Sequence, residues 1–351
     1  MDIKKNLIFL FFISNFFFII FIILKIYFYI FRNRIFYSSS NIAYYPLAKN
    51  FEFNFKGKCG NIFKYPPNNK RDYVFLSFKY YEIKKINNIK YNRRFLSIIP
   101  NIIDSYKHSI PNAKIILFMP FCCTNQFLIN LMKKNNITVI IEKGYDDWNI
   151  VNSRFFMIKK YLEKNKGKIN RVLMADLPDI FIFGDIFATF SENDLILNEE
   201  CRVFERKDEK ECMVFGEQKN AINWMKNSYP NEIDKMNQLI KKKIYNLNAG
   251  LIIGGYNKTL KFLNILFKDF KFENRFNYGY DQSSLLLKYY FDEEMKKLNI
   301  TIEPCSQRMC FAPTNLFSNL KSTNLFYLNG CSPVSIHKSI PINWIINRNL
   351  D

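Results

Sequence analysis

RVLMADLPDIFIFGDIF, residues 171–187, holds an apolar run that stops at Ala175, two carboxylates three residues apart at Asp176 and Asp179, and a second apolar run that meets Asp185. A buried sheet has no use for an ionised carboxylate without a partner, because taking the charge out of water is costly. These aspartates therefore either cap a turn around Pro178 or hold something positive. The run RVLMA before Asp176 is the fourth of a series. YVFLSF (73–78), AKIILFM (113–119) and ITVII (137–141) also read as short buried strands. Helical stretches separate them: RFLSIIPNIIDSYKHS (94–109) with Pro100 near its start, QFLINLMKKN (126–135), and SRFFMIKKYLEKNKG (153–167) with Ser153 as N-cap and Gly167 as stop. Such alternation predicts an α/β fold, a mostly parallel sheet covered by helices on both faces. Ligands of such sheets bind beyond the carboxyl ends of the strands, which is where Asp176 stands.

The second half is less regular. IYNLNAGLIIGGYNKTLKFLNILFKDF (244–270) predicts a buried strand near Leu251–Ile253, a turn at Gly254 and Gly255, and a helix. YGYDQSSLLLKYYFDEEMKKLN (278–299) predicts a helix with Asp281 at its start, and strand fragments are expected around His337. There is no G-x-G-x-x-G and no Walker A sequence, which argues against a dinucleotide or P-loop site.

The chain has 351 residues and a formal net charge of +20. That length fits one large domain or two small ones. The charge alone would suggest nucleic acid or an anionic membrane. The basic residues, however, are spread out, and a run such as Lys241 to Lys243 reads as a solvated helix face. No nucleic-acid partner is expected, while an anionic ligand such as a nucleotide diphosphate suits the surface.

LIFLFFISNFFFIIFIIL (7–24) is apolar except for Ser14 and Asn15, and KIYFYIF extends it with Tyr27 and Tyr29 as interface anchors. It reads as a signal anchor, without a small-residue cleavage site. Lys4 and Lys5 flank one end and Lys25, Arg32 and Arg34 the other, so charge does not fix the orientation. The expected organisation is a short tail (1–6), a transmembrane anchor (7–31), a stem or linker (32–72) and a catalytic domain (73–351). Eight cysteines permit disulfides if the domain is luminal, and no pair has zinc-site spacing. Sequons at Asn136, Asn257 and Asn299 fit the same compartment.

DIFIFGDI (179–186) resembles the tail of the D-x-D metal signature of nucleotide-sugar glycosyltransferases of the GT-A fold, particularly those like family 8. Here the first carboxylate stands one residue early, at Asp176, with Leu177 in its usual place. ADLPDIFIFGDIF (175–187) is also similar to a related group with the pattern SD-x-RD-x-x-F-Q-x-D-P-F, matching it at both aspartates, Asp185 and Phe187, with Pro178 in place of the Arg. NLNAGLIIGG (246–255) resembles the N-[SA]-G strand of these enzymes, which implies donor contacts at Asn248, Ala249 and Gly250. YDQSSLL (280–286) resembles their DQ helix start, which implies catalytic roles for Asp281 and Gln282. VSIHKSIPINW (334–344) resembles the closing segment whose His ligates the metal or reaches the diphosphate. It lacks the Gly and Lys usual around its Pro and Trp, so no role passes to Lys338. The helix with Arg154, before the aspartate strand, resembles a segment of these enzymes that often touches donor phosphate, which implies such a contact for Arg154.

The resemblance spans about residues 73–345. It implies a GT-A-like domain that moves a sugar from a nucleotide-diphosphate donor to a hydroxyl on a glycan or glycoprotein. The cofactor would be Mn²⁺ or Mg²⁺ on Asp176, Asp179 and His337. The location would be the endoplasmic reticulum or Golgi membrane, single-pass, with the domain luminal. Asp281 would act as base if the reaction inverts and would only orient sugar if it retains. Plainer readings stand beside these: Asn248 as a strand-edge turn, Asp281 as an N-cap, His337 as a structural residue, Asp185 as a turn residue. The main alternative is a non-catalytic, membrane-anchored carbohydrate-binding or scaffolding relative. A nucleotidyltransferase would carry a Gly-rich basic loop after its first strand, and LSFKYYEIKK (76–85) has no glycine.

Overall fold

Alternation along one strand sets the layers. In β1 (Asp72–Ser77), Tyr73 and Phe75 face one side of the sheet, Val74 and Leu76 the other, and all four are buried. A sheet buried on both faces is the parallel kind that sequence alternation predicts. The computed structural model describes residues 53–78, 86–177, 179–203, 210–311 and 330–337, with Ile20 and Ile22. The expected anchor over 7–31 lies outside them apart from those two isoleucines, as do Pro178 and Lys338. Among the described residues, no helix is long and apolar enough to cross a membrane. The chain divides between Ala43 and Tyr44, and the strands and helices from Asp72 onward belong to the unit that begins at Tyr44.

The strands are β1, β2 (Lys114–Pro120), β3 (Thr138–Glu142), β4 (Arg171–Asp176), β5 (Ile180–Ile182), β6 (Leu195–Glu199), β7 (Cys201–Val203), β8 (Lys210–Cys212), β9 (Leu247–Gly255), β10 (Thr301–Glu303), β11 (Met309–Phe311) and β12 (Ser335–His337). Seven form the main sheet in the order β10-β6-β9-β4-β1-β2-β3. All pairings are parallel except those of β9, which runs antiparallel to both β4 and β6. The small sheet β11-β12-β5 leads off the end of β4, and β7 pairs with β8.

The helices are α1 (Ile86–Ser109), α2 (Gln126–Lys134), α3 (Ile150–Lys164), α4 (Lys219–Ser228), α5 (Ile233–Lys241), α6 (Tyr256–Leu266), α7 (Tyr280–Phe291) and the short α8 (Glu293–Lys296). Phe155, Ile158 and Leu162 form the apolar stripe that seats α3 on the face shared by Tyr73 and Phe75. Two helix starts differ from the sequence expectation. α3 begins a turn early, capped by Asn149, whose side chain accepts from the Val151 N–H; Ser153 is buried inside the helix. α1 begins at Ile86 and runs straight through Pro100. A proline inside a helix costs about 3 kcal/mol. Ile99, Ile102, Ile103 and Tyr106 are fully buried around it, at roughly 1.5–3 kcal/mol each, so packing wins.

At the amino edge of the sheet, Arg171 holds Asp72 with two nitrogens, Nε to Oδ1 at 2.9 Å and Nη2 to Oδ2 at 2.6 Å. Arg171 also donates to the carbonyls of Pro66, Pro67 and Phe187. It thereby fastens three segments to β4. Residues 53–72, read from the sequence as the end of a linker, are tied down here and elsewhere. Asn68 donates to Asp185, which also caps the 3-10 turn Ile186–Thr189, and Cys59 is bonded to Cys331. The other cysteines pair as Cys122–Cys123, Cys201–Cys212 and Cys305–Cys310, so none of the eight is free.

Candidate functional site

The carboxyl edge collects most of the residues singled out in the sequence. Asp176 is the last residue of β4, opposite Ser77 of β1. On its other side the pairing with β9 ends at Ala175 and Leu251, which leaves Gly250 next in line to Asp176. Here β9 slips against β6: Leu197 pairs with Ile252, yet Asn198 pairs with Asn248. Residues 249–251 are thus extra to that ladder. An irregularity of this kind bends a strand and re-aims its side chains, and it recurs beside functional sites. Asn248 Oδ1 accepts the Gly250 N–H at 2.7 Å, satisfying a backbone donor at the slip.

Gly250 leaves room that a side chain would take from its neighbours. A Cβ built there would lie 2.7 Å from Asp176 Oδ2 and 2.9 Å from His337 Nε2. A carboxylate oxygen and an imidazole nitrogen therefore close in on the same side of Gly250, where any side chain would displace them. His337 is brought there by the small sheet. β12 runs antiparallel to β5, and His337 stands opposite Ile180, the residue after Asp179. The Asp179 N–H donates to the Asp176 carbonyl at 3.0 Å, so the backbone turn expected between the aspartates exists. The Asp176 carboxylate is ion-paired to Arg154.

Arg154 is the residue around which the rest is arranged. It lies on the buried side of α3, with Nη1 ion-paired to Asp176 and Nη2 donating to Asp281 Oδ2 at 2.6 Å and to the Ala249 carbonyl at 3.1 Å. Asp179 adds further negative potential at this guanidinium. Burial pushes the Arg154 pKa down and the Asp281 pKa up, and the attraction between the two works against both shifts. A guanidinium keeps its proton under any such pull, so Arg154 stays charged.

Asp281 occupies the first turn of α7 and is 4 % exposed; its carboxylate pairs with Arg154 and also accepts backbone N–H groups of that first turn, from Gln282 and its own amide. The residue in the capping position is Gly279, at φ +78, where a Cβ would run into the Trp224 ring at 2.4 Å. Both the left-handed backbone and the close approach require glycine. Gln282 faces a different carboxylate: its Nε2 donates to Glu200 Oε1 at 3.3 Å, and Asn248 Nδ2 donates to the same oxygen at 2.9 Å. Sequence reasoning missed Glu200. Its only signal was the acidic pair Glu199–Glu200 at the carboxyl end of an apolar run, LILNEE (195–200).

The nine residues named from the sequence thus fall on one sheet edge. Asp176, Arg154, Asp281 and Ala249 are in direct contact, His337 and Gly250 adjoin Asp176, Asp179 adjoins through the turn, and Asn248 and Gln282 meet on Glu200. As they stand, Asp176, Asp179 and His337 do not gather as tightly as metal ligands do. Among the described residues, the group that does is Glu199, Cys201 and Cys212, and its two sulfurs form a disulfide. A ligating sulfur must be a free thiolate, so that group is no metal centre. A cleft of about 510 Å³ bordered by Tyr229, Lys235, Lys288 and Phe291 lies at the other end of α7 and includes none of the nine.

No protein-family model matches the chain, and no curated protein matches it. Among solved structures, a cytidylyltransferase from Leptospira borgpetersenii serovar Hardjo-bovis (strain JB197) is similar at 11% identity over 67% of this chain and 76% of that one, with a TM-score of 0.36.

Proposed function

We propose that this protein is a metal-dependent glycosyltransferase of the GT-A type, moving a sugar from a nucleotide-diphosphate donor to a hydroxyl on a glycan or glycoprotein. The observation that carries the reading is the convergence of Asp176 Oδ2 and His337 Nε2 over Gly250 at the carboxyl end of a parallel strand. Carboxylate oxygen with imidazole nitrogen suits Mn²⁺ better than Mg²⁺, which prefers oxygen alone. Asp176, Asp179 and His337 would hold the ion, and a bound divalent cation offsets the charge of a departing diphosphate.

The chain's own residues divide the remaining work. Arg154 fixes the carboxylates of Asp176 and Asp281 in place and lends positive charge to the side of the site where a donor phosphate would lie. Asn248 and Gln282, joined through Glu200, present amides to sugar hydroxyls. Asp281 is too buried, and too tightly held by Arg154, to reach an acceptor proton readily. That favours an orienting role for it, and hence retention over inversion. Anchoring by residues 7–31 with the domain luminal belongs to the same reading.

The deciding experiment is isothermal titration of the full chain in detergent against a panel of nucleotide sugars, with and without Mn²⁺, alongside Asp179→Ala. Metal-dependent binding of one donor, lost in the variant, supports a transferase and names its sugar. A folded protein that binds no donor under either condition favours the non-catalytic carbohydrate-binding alternative.

A further inference from the structure

The three sequons lie along one edge of the main sheet. Asn136 lies two residues before β3, Asn299 two residues before β10, and Asn257 two residues after β9. Because β9 runs antiparallel to its neighbours, its end is level with the beginnings of the others: Gly255 pairs with Arg171, the first residue of β4. All three asparagines therefore border the amino edge of the main sheet, the edge that carries Arg171 and Asp72. All three are exposed. Asp176 ends the opposite edge, about 16 Å away along the five steps of β4 from Arg171.

We infer that Asn136, Asn257 and Asn299 are N-glycosylated, and that the glycans are confined to the edge opposite the candidate site. Each asparagine is followed two residues later by threonine: Thr138, Thr259 and Thr301. Asn136 and Asn299 sit in left-handed turns, at φ 56 and φ 50, which a short polar side chain tolerates. Both turns present the amide outward between a helix end and a strand. Asn257 is on the first turn of α6, and the carbonyl of Asn299 accepts from Lys258 beside it, so these two sites are neighbours. The co-reactant is a lipid-diphosphate-linked oligosaccharide. The asparagine amide nitrogen bonds to the anomeric carbon, the bond from that carbon to the diphosphate oxygen breaks, the diphosphate leaves with the electron pair, and the amide gives up one proton. Bulky polar glycans placed there shield the amino edge and leave the carboxyl edge clear.

The modification also fixes an orientation that the flanking charges leave open, since it requires the domain to lie in the lumen. In that respect it rests on the transferase reading, which places the domain there. The test is translation of the full chain with microsomal membranes, followed by treatment with an N-glycanase. Three glycans are expected, with one lost in each of Asn136→Gln, Asn257→Gln and Asn299→Gln. Thr138→Ala and Thr301→Ala should each remove one glycan while leaving the asparagine and its turn in place. A membrane-integrated chain with no glycanase-sensitive shift overturns the inference, as does a shift unchanged in all three Gln variants. A bare chain that still hydrolyses a nucleotide sugar would remove the glycans and keep the transferase. A glycosylated chain without donor binding would do the reverse.

Discussion

Asp176 Oδ2 and His337 Nε2 border the space that a side chain on Gly250 would occupy, at 2.7 and 2.9 Å from its first atom. Gly250→Ala should therefore act on the site more than on the fold. The methyl group pushes the carboxylate and the imidazole apart, and a displacement of about 1 Å in a catalytic group can cost ~10²-fold in rate. Nucleotide-sugar hydrolysis and Mn²⁺ affinity should both fall by roughly that factor. Circular dichroism and melting temperature, measured on the same preparation, should change little. A large loss of stability with unchanged metal affinity would mean that the space is a packing requirement only.

Glu200 joins Asn248 and Gln282, so Glu200→Ala should release two amides at once. Breaking hydrogen bonds to a charged acceptor costs ~1.5–3 kcal/mol where the donors stay dry. About a tenfold rise in KM for the donor, with kcat reduced less, is the expected pattern in steady-state kinetics. Equal losses in kcat and kcat/KM would place Glu200 in the reaction step instead.

These two residues also mark where the sequence was legible. β1, β2, β3 and β4 could be read to within a residue: β1, β2 and β4 are buried on both faces and so are written as continuous apolar runs, and the partly exposed edge strand β3 shows through its β-branched TVII. Asp176 stood out because it broke such a run. Arg154 was noticed only through the resemblance; nothing local says that it pairs with Asp281, 127 positions away. Glu200 was missed because its partners come from β9 and α7. The slip of β9 against β6 was equally hidden: NLNAGLII looks like ordinary strand, and the extra residues exist only relative to a neighbour. The early start of α3 was missed for a smaller reason. Asn149 and Ser153 are both good caps, and only packing chooses between them.

Arg171→Leu removes one partner of a buried ion pair and strands Asp72, whose side chain is fully buried. The expected cost is ~3–5 kcal/mol, read as a shifted denaturation midpoint. The double variant Asp72→Leu with Arg171→Leu should recover part of it, because no lone charge remains. At temperatures where each variant is folded, donor binding should match the parent protein, since this pair lies at the edge away from Asp176.

Burial raises the Glu199 pKa above its ordinary value. A carboxyl held high in the folded state prefers its proton there. The folded protein pays no penalty from it at low pH and incurs one as pH rises from the unfolded value through the folded one. Glu199→Gln should therefore be more stable than the parent at pH 7 to 8. The difference should vanish when both are melted below about pH 4, the range in which a free Glu is mostly protonated. A gap of the same size at both pH values would show that packing, not ionisation, separates them.

The Cys59–Cys331 bond joins residues 272 positions apart, and Ser332 exchanges hydrogen bonds with Asn54 beside it. During synthesis the early segment must therefore wait for nearly the whole domain. At about 5–20 residues per second, Cys59 spends roughly 14–54 s before its partner is made. The other six cysteines, Cys122, Cys123, Cys201, Cys212, Cys305 and Cys310, are all made in that interval. Faithful production of this chain thus depends on thiol–disulfide reshuffling keeping pace with the ribosome. A host that is slow to correct early mispairings would yield a protein in which the turn carrying Cys59 is never fastened beside β12, and His337, six residues after Cys331, would lose that support for its place beside Asp176.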